Sequence, residues 1–170
     1  KNEIRFESEK GYRFTWKFTD NYAKLTINET IPDQNYWILY EGPVGGKFQP
    51  QSCYWGTDQG MRTDVPDFLD GETVSGRWQW VYFGHNDQER VMFIKQEKPD
   101  ELTDMMGYMG AFGGGIDSYD GMVVFGFGRN LKTESLLTGG NSFYFGFYDK
   151  KIDSNGDYEK LQKFIKSNLK

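Results

Sequence analysis

Residues 12–28 read YRFTWKFTDNYAKLTIN, and this stretch decides the fold. Aromatic residues stand at every second position from 12 to 18 with polar residues between them, which is the period-two pattern of a strand with one wet face. Asp20 and Asn21 are turn formers, and the alternation resumes over residues 22–28. With a further alternating pair before it, the segment 3–28 is predicted to form a three-stranded antiparallel meander.

Further strands are predicted along the chain, separated by turns and by two irregular stretches. The predicted strands lie at residues 35–41, 77–84, 90–96, 122–129 and 142–148. The first of these is apolar on both faces, as expected for a central strand. Residues 43–76 and 107–121 are rich in glycine and polar residues and are predicted to be long loops. We expect one helical turn over 99–106, and the apolar stripe of residues 157–170 predicts a C-terminal helix.

The composition agrees with an all-β chain. Aromatic residues make up 18% of the 170 residues and there are 21 glycines, a profile that suits pleated surfaces and turns. The patterns predict about eight strands and one helix, and the lack of helices between strands favours antiparallel pairing. We therefore expect a single domain over residues 1–170, an antiparallel β-sandwich with a short C-terminal helix, for which a jelly-roll-like arrangement is one option.

Charge and apolar runs exclude several classes of partner. The net charge is −5 with acids and bases interspersed, so no basic stripe predicts nucleic-acid binding. No apolar run is long enough to predict a membrane span. The chain opens on a polar strand rather than a signal peptide, so a cytosolic or an already processed protein is expected. The lone Cys53 excludes an internal disulfide and is expected to be a buried thiol.

His85 is the obvious candidate for acid–base chemistry, because its ordinary pKa lies near neutrality. It falls at a predicted hairpin tip, where a solvated polar residue is the common occupant. One His and one Cys are too few for a zinc site. A polysaccharide lyase that uses Tyr82 as base, with His85, Arg77 or Arg129 nearby, stays open as an alternative. The predicted strands carry no acidic ladder of the kind a glycoside hydrolase needs, which lowers the prospects of that activity without removing it.

The segment DSNGDYE at residues 153–159 provides the candidate metal site. Asp153, Asn155 and Asp157 alternate as in the opening of a calcium loop, and hard oxygen ligands suit calcium. The match is incomplete because Tyr158 replaces the expected glycine. The alternative is a turn and a helix N-cap, in which the side chain at 154 or 155 accepts from first-turn amides. The cofactor expectation is therefore none, with calcium as an option.

The sequence holds more aromatic side chains than a core needs. Flat rings give large contact area at low entropic cost and attract the polarised C–H groups of sugars. Two of the candidates lie in the predicted long loop, and three share one face of a predicted strand. The alternative for these three is a second core layer. The candidate ligand-binding residues are Tyr54, Trp55, Trp78, Trp80, Tyr82, His85 and Tyr119.

Four segments carry a resemblance to known proteins. They read YWILYEGPVGGKF at 36–48, RWQWVYFG at 77–84, RVMFIKQ at 90–96 and DGMVVFGFGR at 120–129. Together they resemble β-sandwich domains of secreted bacterial proteins from polysaccharide-degrading systems. The resemblance implies a secreted or periplasmic setting and a polysaccharide or oligosaccharide partner, with no residue role to carry over.

The functional expectation is non-catalytic carbohydrate binding by aromatic stacking, in a module that can belong to a larger secreted enzyme. The first alternative is an enzyme, a polysaccharide lyase or a glycoside hydrolase, that uses Tyr82, His85 and a loop acid. The second alternative is a structural or protein-interaction domain with every aromatic ring in the core.

Overall fold

A computed structural model describes residues 2–42, 49–64, 73–109, 121–129 and 137–169. Within these ranges the chain forms twelve strands, a short 3-10 helix at Pro50–Ser52 and one α-helix. The strands are β1 (Glu3–Glu7), β2 (Arg13–Phe18), β3 (Tyr22–Glu29), β4 (Ile38–Gly42), β5 (Cys53–Thr57), β6 (Gly60–Asp64), β7 (Thr73–Gly76), β8 (Trp80–His85), β9 (Val91–Gln96), β10 (Asp104–Met109), β11 (Met122–Phe127) and β12 (Ser142–Tyr148). The helix α1 spans Asn155–Asn168.

The strands form two sheets, which confirms the predicted antiparallel β-sandwich with a short C-terminal helix. The larger sheet has the order β1-β2-β3-β12-β9-β8-β5-β6 and the smaller one β4-β11-β10-β7. Every neighbouring pair is antiparallel. The N-terminal meander is present as predicted, because its register places Phe6 opposite Phe14 and Trp16 opposite Leu25, all on one face.

One face of the larger sheet packs against the smaller sheet. Alternate residues of β8, β9 and β12 point toward alternate residues of β10 and β11, and the two sets form a continuous apolar core. Phe125 and Phe127 pack edge to face, with ring centroids 4.9 Å apart. The buried members include Val81, Phe83, Ile94, Met106, Phe125, Phe127 and Phe143.

The helix α1 covers part of the opposite face. Ser154 caps it, since its hydroxyl accepts from the Asp157 amide, and the buried stripe runs through Leu161 and Ile165. These side chains pack on β5, β8, β9 and β12 in a second core. Each fully buried aliphatic side chain contributes about 1.5–3 kcal/mol. The predicted C-terminal helix is therefore confirmed, with a start two residues earlier than expected.

Three local predictions are wrong. The expected loop 43–76 contains β5, β6 and β7. The sequence pattern did not predict β5 because this strand is buried on both faces and such a strand shows no alternation. The segment 99–106 contains no helical turn, and β10 begins inside it at Asp104. The apolar stretch 35–41 is not a central strand, because β4 lies at the edge of the smaller sheet.

Candidate functional site

The predicted stacking residues that the structure describes lie in strands or directly beside them. Tyr54 and Trp55 belong to β5, near the far edge of the larger sheet. Tyr54 and Tyr82 lie on the face that α1 covers and are fully buried. Trp55 points the other way and is half-buried beside Trp78, with ring centroids 5.9 Å apart. The prediction that Tyr54 and Trp55 lie in a long loop is therefore wrong.

Close packing of rings on glycines explains this burial. The Tyr54 ring occupies the space that a side chain at Gly84 would need, and Tyr82 does the same at Gly56. Trp80 is buried beside Tyr82 and Tyr158, with ring centroids at 6.2 and 5.9 Å. Buried rings have no free face for a sugar, so these residues have the packing role that the sequence left open as the alternative. The strand face of Trp78, Trp80 and Tyr82 is shared only by the last two, because Trp78 precedes β8 and packs in the other core.

His85 is buried, which corrects its expected place at a solvated tip. It is the last residue of β8 and lies directly opposite Cys53 of β5. Its Nδ1 accepts from the Asp87 amide at 3.1 Å, and its Nε2 has no hydrogen-bond partner among the described residues. Burial raises the pKa of the Cys53 thiol to about 11, so the thiol stays protonated near neutral pH. The Cys53 thiol is therefore a poor nucleophile.

The enzymatic alternative gains no support from Tyr82. Burial raises the pKa of this hydroxyl well above its ordinary value, so deprotonation to a base is disfavoured. Arg77 is exposed and pairs with Glu101 at 2.8 Å.

The candidate metal residues lie around the start of α1. The Asp153 carboxylate pairs with Arg62 at 2.7 Å and Lys151 at 3.6 Å, and Asp157 accepts from the Ser154 hydroxyl at 2.6 Å. Asn155 begins the helix. No group of three or more His, Cys, Asp or Glu side chains suited to a metal ion occurs in the described ranges. The N-cap alternative is confirmed at Ser154, and calcium binding stays a prediction.

The first three residues of the expected loop 107–121 belong to β10, which corrects that part of the prediction, and residues 110–120, which include Tyr119, lie outside the described residues. The prediction for Tyr119 therefore stays a prediction.

An exposed aromatic groove lies elsewhere, where the meander meets β12. We call it the edge groove, and its volume is about 450 Å³. Phe18 at the end of β2 is 43% exposed and Phe147 on β12 is 55% exposed. Ala23 of β3 lies between these strands on the same face, opposite Phe18 and Phe145, so its small side chain leaves space between the rings.

The rings of the edge groove are held in place by their neighbours. Trp16 packs on Phe18 with ring centroids 6.1 Å apart and on Phe145 at 5.4 Å. The β2–β3 turn is fixed by Thr19, whose hydroxyl accepts from the amides of Asn21 and Tyr22 at 3.3 and 3.0 Å. A ligand would therefore meet a largely ordered surface.

Polar side chains line the same groove. Asp20 and Asn21 belong to the turn, and Arg90 and Asp149 lie beside Phe147. The Arg90 guanidinium is 3.3 Å from the Asp149 carboxylate and 5.9 Å from the Phe147 ring centroid. The groove thus combines acceptors, donors and apolar rings, the groups that recognise a polyol with one apolar face.

A larger open cleft of about 720 Å³ lies on the polar face of the meander. Most of its charged side chains are in ion pairs, since Arg13 pairs with Glu29 at 2.8 Å and with Glu7 at 3.2 Å, and Arg5 pairs with Glu3 at 2.8 Å. The two aromatic residues of its lining, Phe6 and Phe14, stack on each other with ring centroids 5.0 Å apart. The edge groove is therefore the better candidate site.

Sequence reasoning identified the strands of the edge groove but assigned their rings to the core. The available signal was the position of Phe18 and Phe147 at strand ends beside turns rich in Asp and Asn. The sequence did not show how many strands each sheet has. The exposure of Phe18 and Phe147 depends on that number, because the larger sheet has eight strands and the smaller sheet only four.

No protein-family model and no curated protein matches this sequence. In the part of the chain that the structure describes, no helix is long and apolar enough to cross a membrane.

Proposed function

We propose that this chain is a non-catalytic carbohydrate-binding module that holds a saccharide in the edge groove. The observation that carries the proposal is the pair of exposed rings, Phe18 and Phe147, that flank a gap lined by carboxylates, an amide and a guanidinium. A secreted or periplasmic setting, a polysaccharide ligand and a place beside other modules of a larger chain belong to the same proposal.

The chemistry of the edge groove supports a sugar over a purely apolar ligand. A pyranose presents axial C–H groups on its faces and hydroxyls around its rim. The rings of Phe18 and Phe147 supply apolar contact to the faces. Asp20, Asn21 and Asp149 supply acceptors, and charge-assisted bonds to hydroxyls are stronger than neutral ones.

The proposal is tested by substitution of one ring. Phe147→Ala is expected to weaken binding to the best glycan of a polysaccharide panel about tenfold, because a stacking contact contributes roughly 1 kcal/mol or more. Titration calorimetry measures the Kd, and a reducing-end assay on the same glycan is expected to show no product.

Trp37→Ala is the matched control. Trp37 is 46% exposed and is not among the residues that line the edge groove. Its loss is expected to leave the Kd unchanged. A panel without any binder, or a glycan whose binding depends on Trp37 and not on Phe147, would contradict the proposal.

A further inference from the structure

Among the strands that the structure describes, β1 forms an unpaired edge of the larger sheet. It is the first strand in the sheet order, and its five residues are all exposed. The Phe18 amide donates to the Asn2 carbonyl at 2.7 Å, and the Ser8 amide donates to the Tyr12 carbonyl at 2.8 Å. Backbone bonding in an antiparallel ladder alternates, so the even-numbered residues of β1 bond to β2. The N–H and C=O groups of Glu3, Arg5 and Glu7 therefore point outward.

The two faces of β1 differ in character. Ile4 is 49% exposed and Phe6 45% exposed, and Phe6 stacks on Phe14 at 5.0 Å. These two side chains continue the apolar face of the meander but belong to neither core, whereas Phe14 and Trp16 are partly buried against the core between the sheets. Glu3, Arg5 and Glu7 alternate in sign on the other face. Natural edges usually avoid an apolar, unpaired strand of this kind.

The charge pattern is complementary to itself in one antiparallel register. If two copies of β1 pair with Phe6 opposite Phe6, then Arg5 of each copy faces Glu7 of the other, and Glu3 faces Glu9, which lies beyond the end of β1. Because the outward backbone groups of Arg5 and Glu7 then face each other, the pair forms a hydrogen-bonded ladder position. On the apolar face the Phe6–Phe14 stacks of both copies meet across the axis. A register centred on Arg5 would instead place Arg5 against Arg5 and Glu3 against Glu7, which is repulsive.

We propose that β1 is a homodimerisation edge, with two copies of the chain joined antiparallel in the Phe6-centred register. The larger sheets of the two copies then form one continuous sheet. The occupant of the edge is a second copy, because Arg5 and Glu7 of one copy face Glu7 and Arg5 of the other in this register. This inference concerns a different surface from the edge groove and does not depend on sugar binding.

The test is a charge-exchange cycle measured by sedimentation equilibrium over a range of protein concentrations. The wild-type chain is expected to show a concentration-dependent dimer. Arg5→Glu and Glu7→Arg are each expected to weaken the dimer at least tenfold, since each places like charges opposite each other at both ends of the ladder. The double variant Arg5→Glu with Glu7→Arg restores opposite charges and is expected to recover the dimer.

Arg77→Glu is the control, since this charge is exposed and lies away from β1. It is expected to leave the dimer unchanged. Thermal melting of each variant separates a lost dimer from a lost fold. A wild-type chain that stays monomeric at high concentration would overturn the proposal, and so would a double variant as weakly associated as the singles. Retained dimer in both single variants would overturn it as well.

Discussion

At the scale of the residue, Asp104 is the most consequential polar side chain in the described core. It is 1% exposed, and its carboxylate accepts from the amides of Trp78 and Gly128, both at 2.9 Å. It therefore joins the start of β8 to the end of β11. Burial is the main cause that raises its pKa to about 7, against the opposing effect of the two amides. The negative charges of Asp100 and Asp58 raise it further.

This pKa predicts a pH dependence of stability. The folded pKa lies above the ordinary value of 3.8, so the folded state binds the proton more tightly than the unfolded state does. The stabilisation is complete below about pH 4 and is lost as the pH rises to about 7. The free energy of unfolding should therefore fall across this window, by up to roughly 4 kcal/mol from this group alone.

Asp104→Asn isolates the effect, because asparagine does not titrate. Urea unfolding at several pH values gives the free energy of unfolding of both proteins. The value for the wild type minus the value for the variant should fall as the pH rises from 4 to 7. Parallel stability curves for the two proteins would contradict the assignment of this pKa to Asp104.

At the scale of the element, the close pairing of β5 with β8 limits which side chains fit at two positions of the larger sheet. Each strand lays a tyrosine over a glycine of the other, Tyr54 on Gly84 and Tyr82 on Gly56. The ring replaces the missing side chain, so the two strands form a dense layer under α1. Glycine is required there by space and not by backbone conformation.

Gly84→Ala should therefore destabilise the fold. A methyl group at this position would overlap the Tyr54 ring, and overpacking of a core typically costs about 1–3 kcal/mol. Gly60→Ala is the matched control, since nothing lies within 4 Å of a side chain added there. Urea unfolding measures both, and equal stability of the two variants would contradict the packing argument.

The elements differ in how well the sequence predicts them. The meander alternates apolar and polar residues and α1 has one buried stripe, and such elements show a clear period in sequence. β5 has both faces buried and β10 begins at a buried aspartate, so neither shows that period. The edge groove was missed for another reason. Whether Phe18 and Phe147 face solvent depends on the relative width of two sheets, which no local pattern records.

At the scale of the whole molecule, the two sheets are unequal in width. The smaller sheet covers one face of the larger sheet and α1 covers part of the other, while β1 and the exposed rings of Phe18 and Phe147 lie outside both cores. Both proposed surfaces, the edge groove and the β1 edge, lie in the part of the larger sheet that is outside the two cores. The covered part supplies stability, and the uncovered part is where we infer that binding occurs.

The burial of Cys53 leads to a prediction about the molecule as a whole. Its thiol is 1% exposed and burial holds its pKa at about 11. A disulfide-exchange reagent should therefore modify the native protein at least a thousandfold more slowly than a free thiol peptide at pH 8. The absorbance of the released thiolate follows the reaction, and rapid labelling of the native chain would contradict the burial.

Cys53 sits on a strand that contacts both cores, so a reagent reaches it only when the sandwich separates. The rate at which the Cys53 thiol is modified therefore reports how often the native structure opens. Each modification event marks one excursion away from the native state, with no engineered probe, and the slope of the labelling rate against urea would show how much surface that excursion exposes.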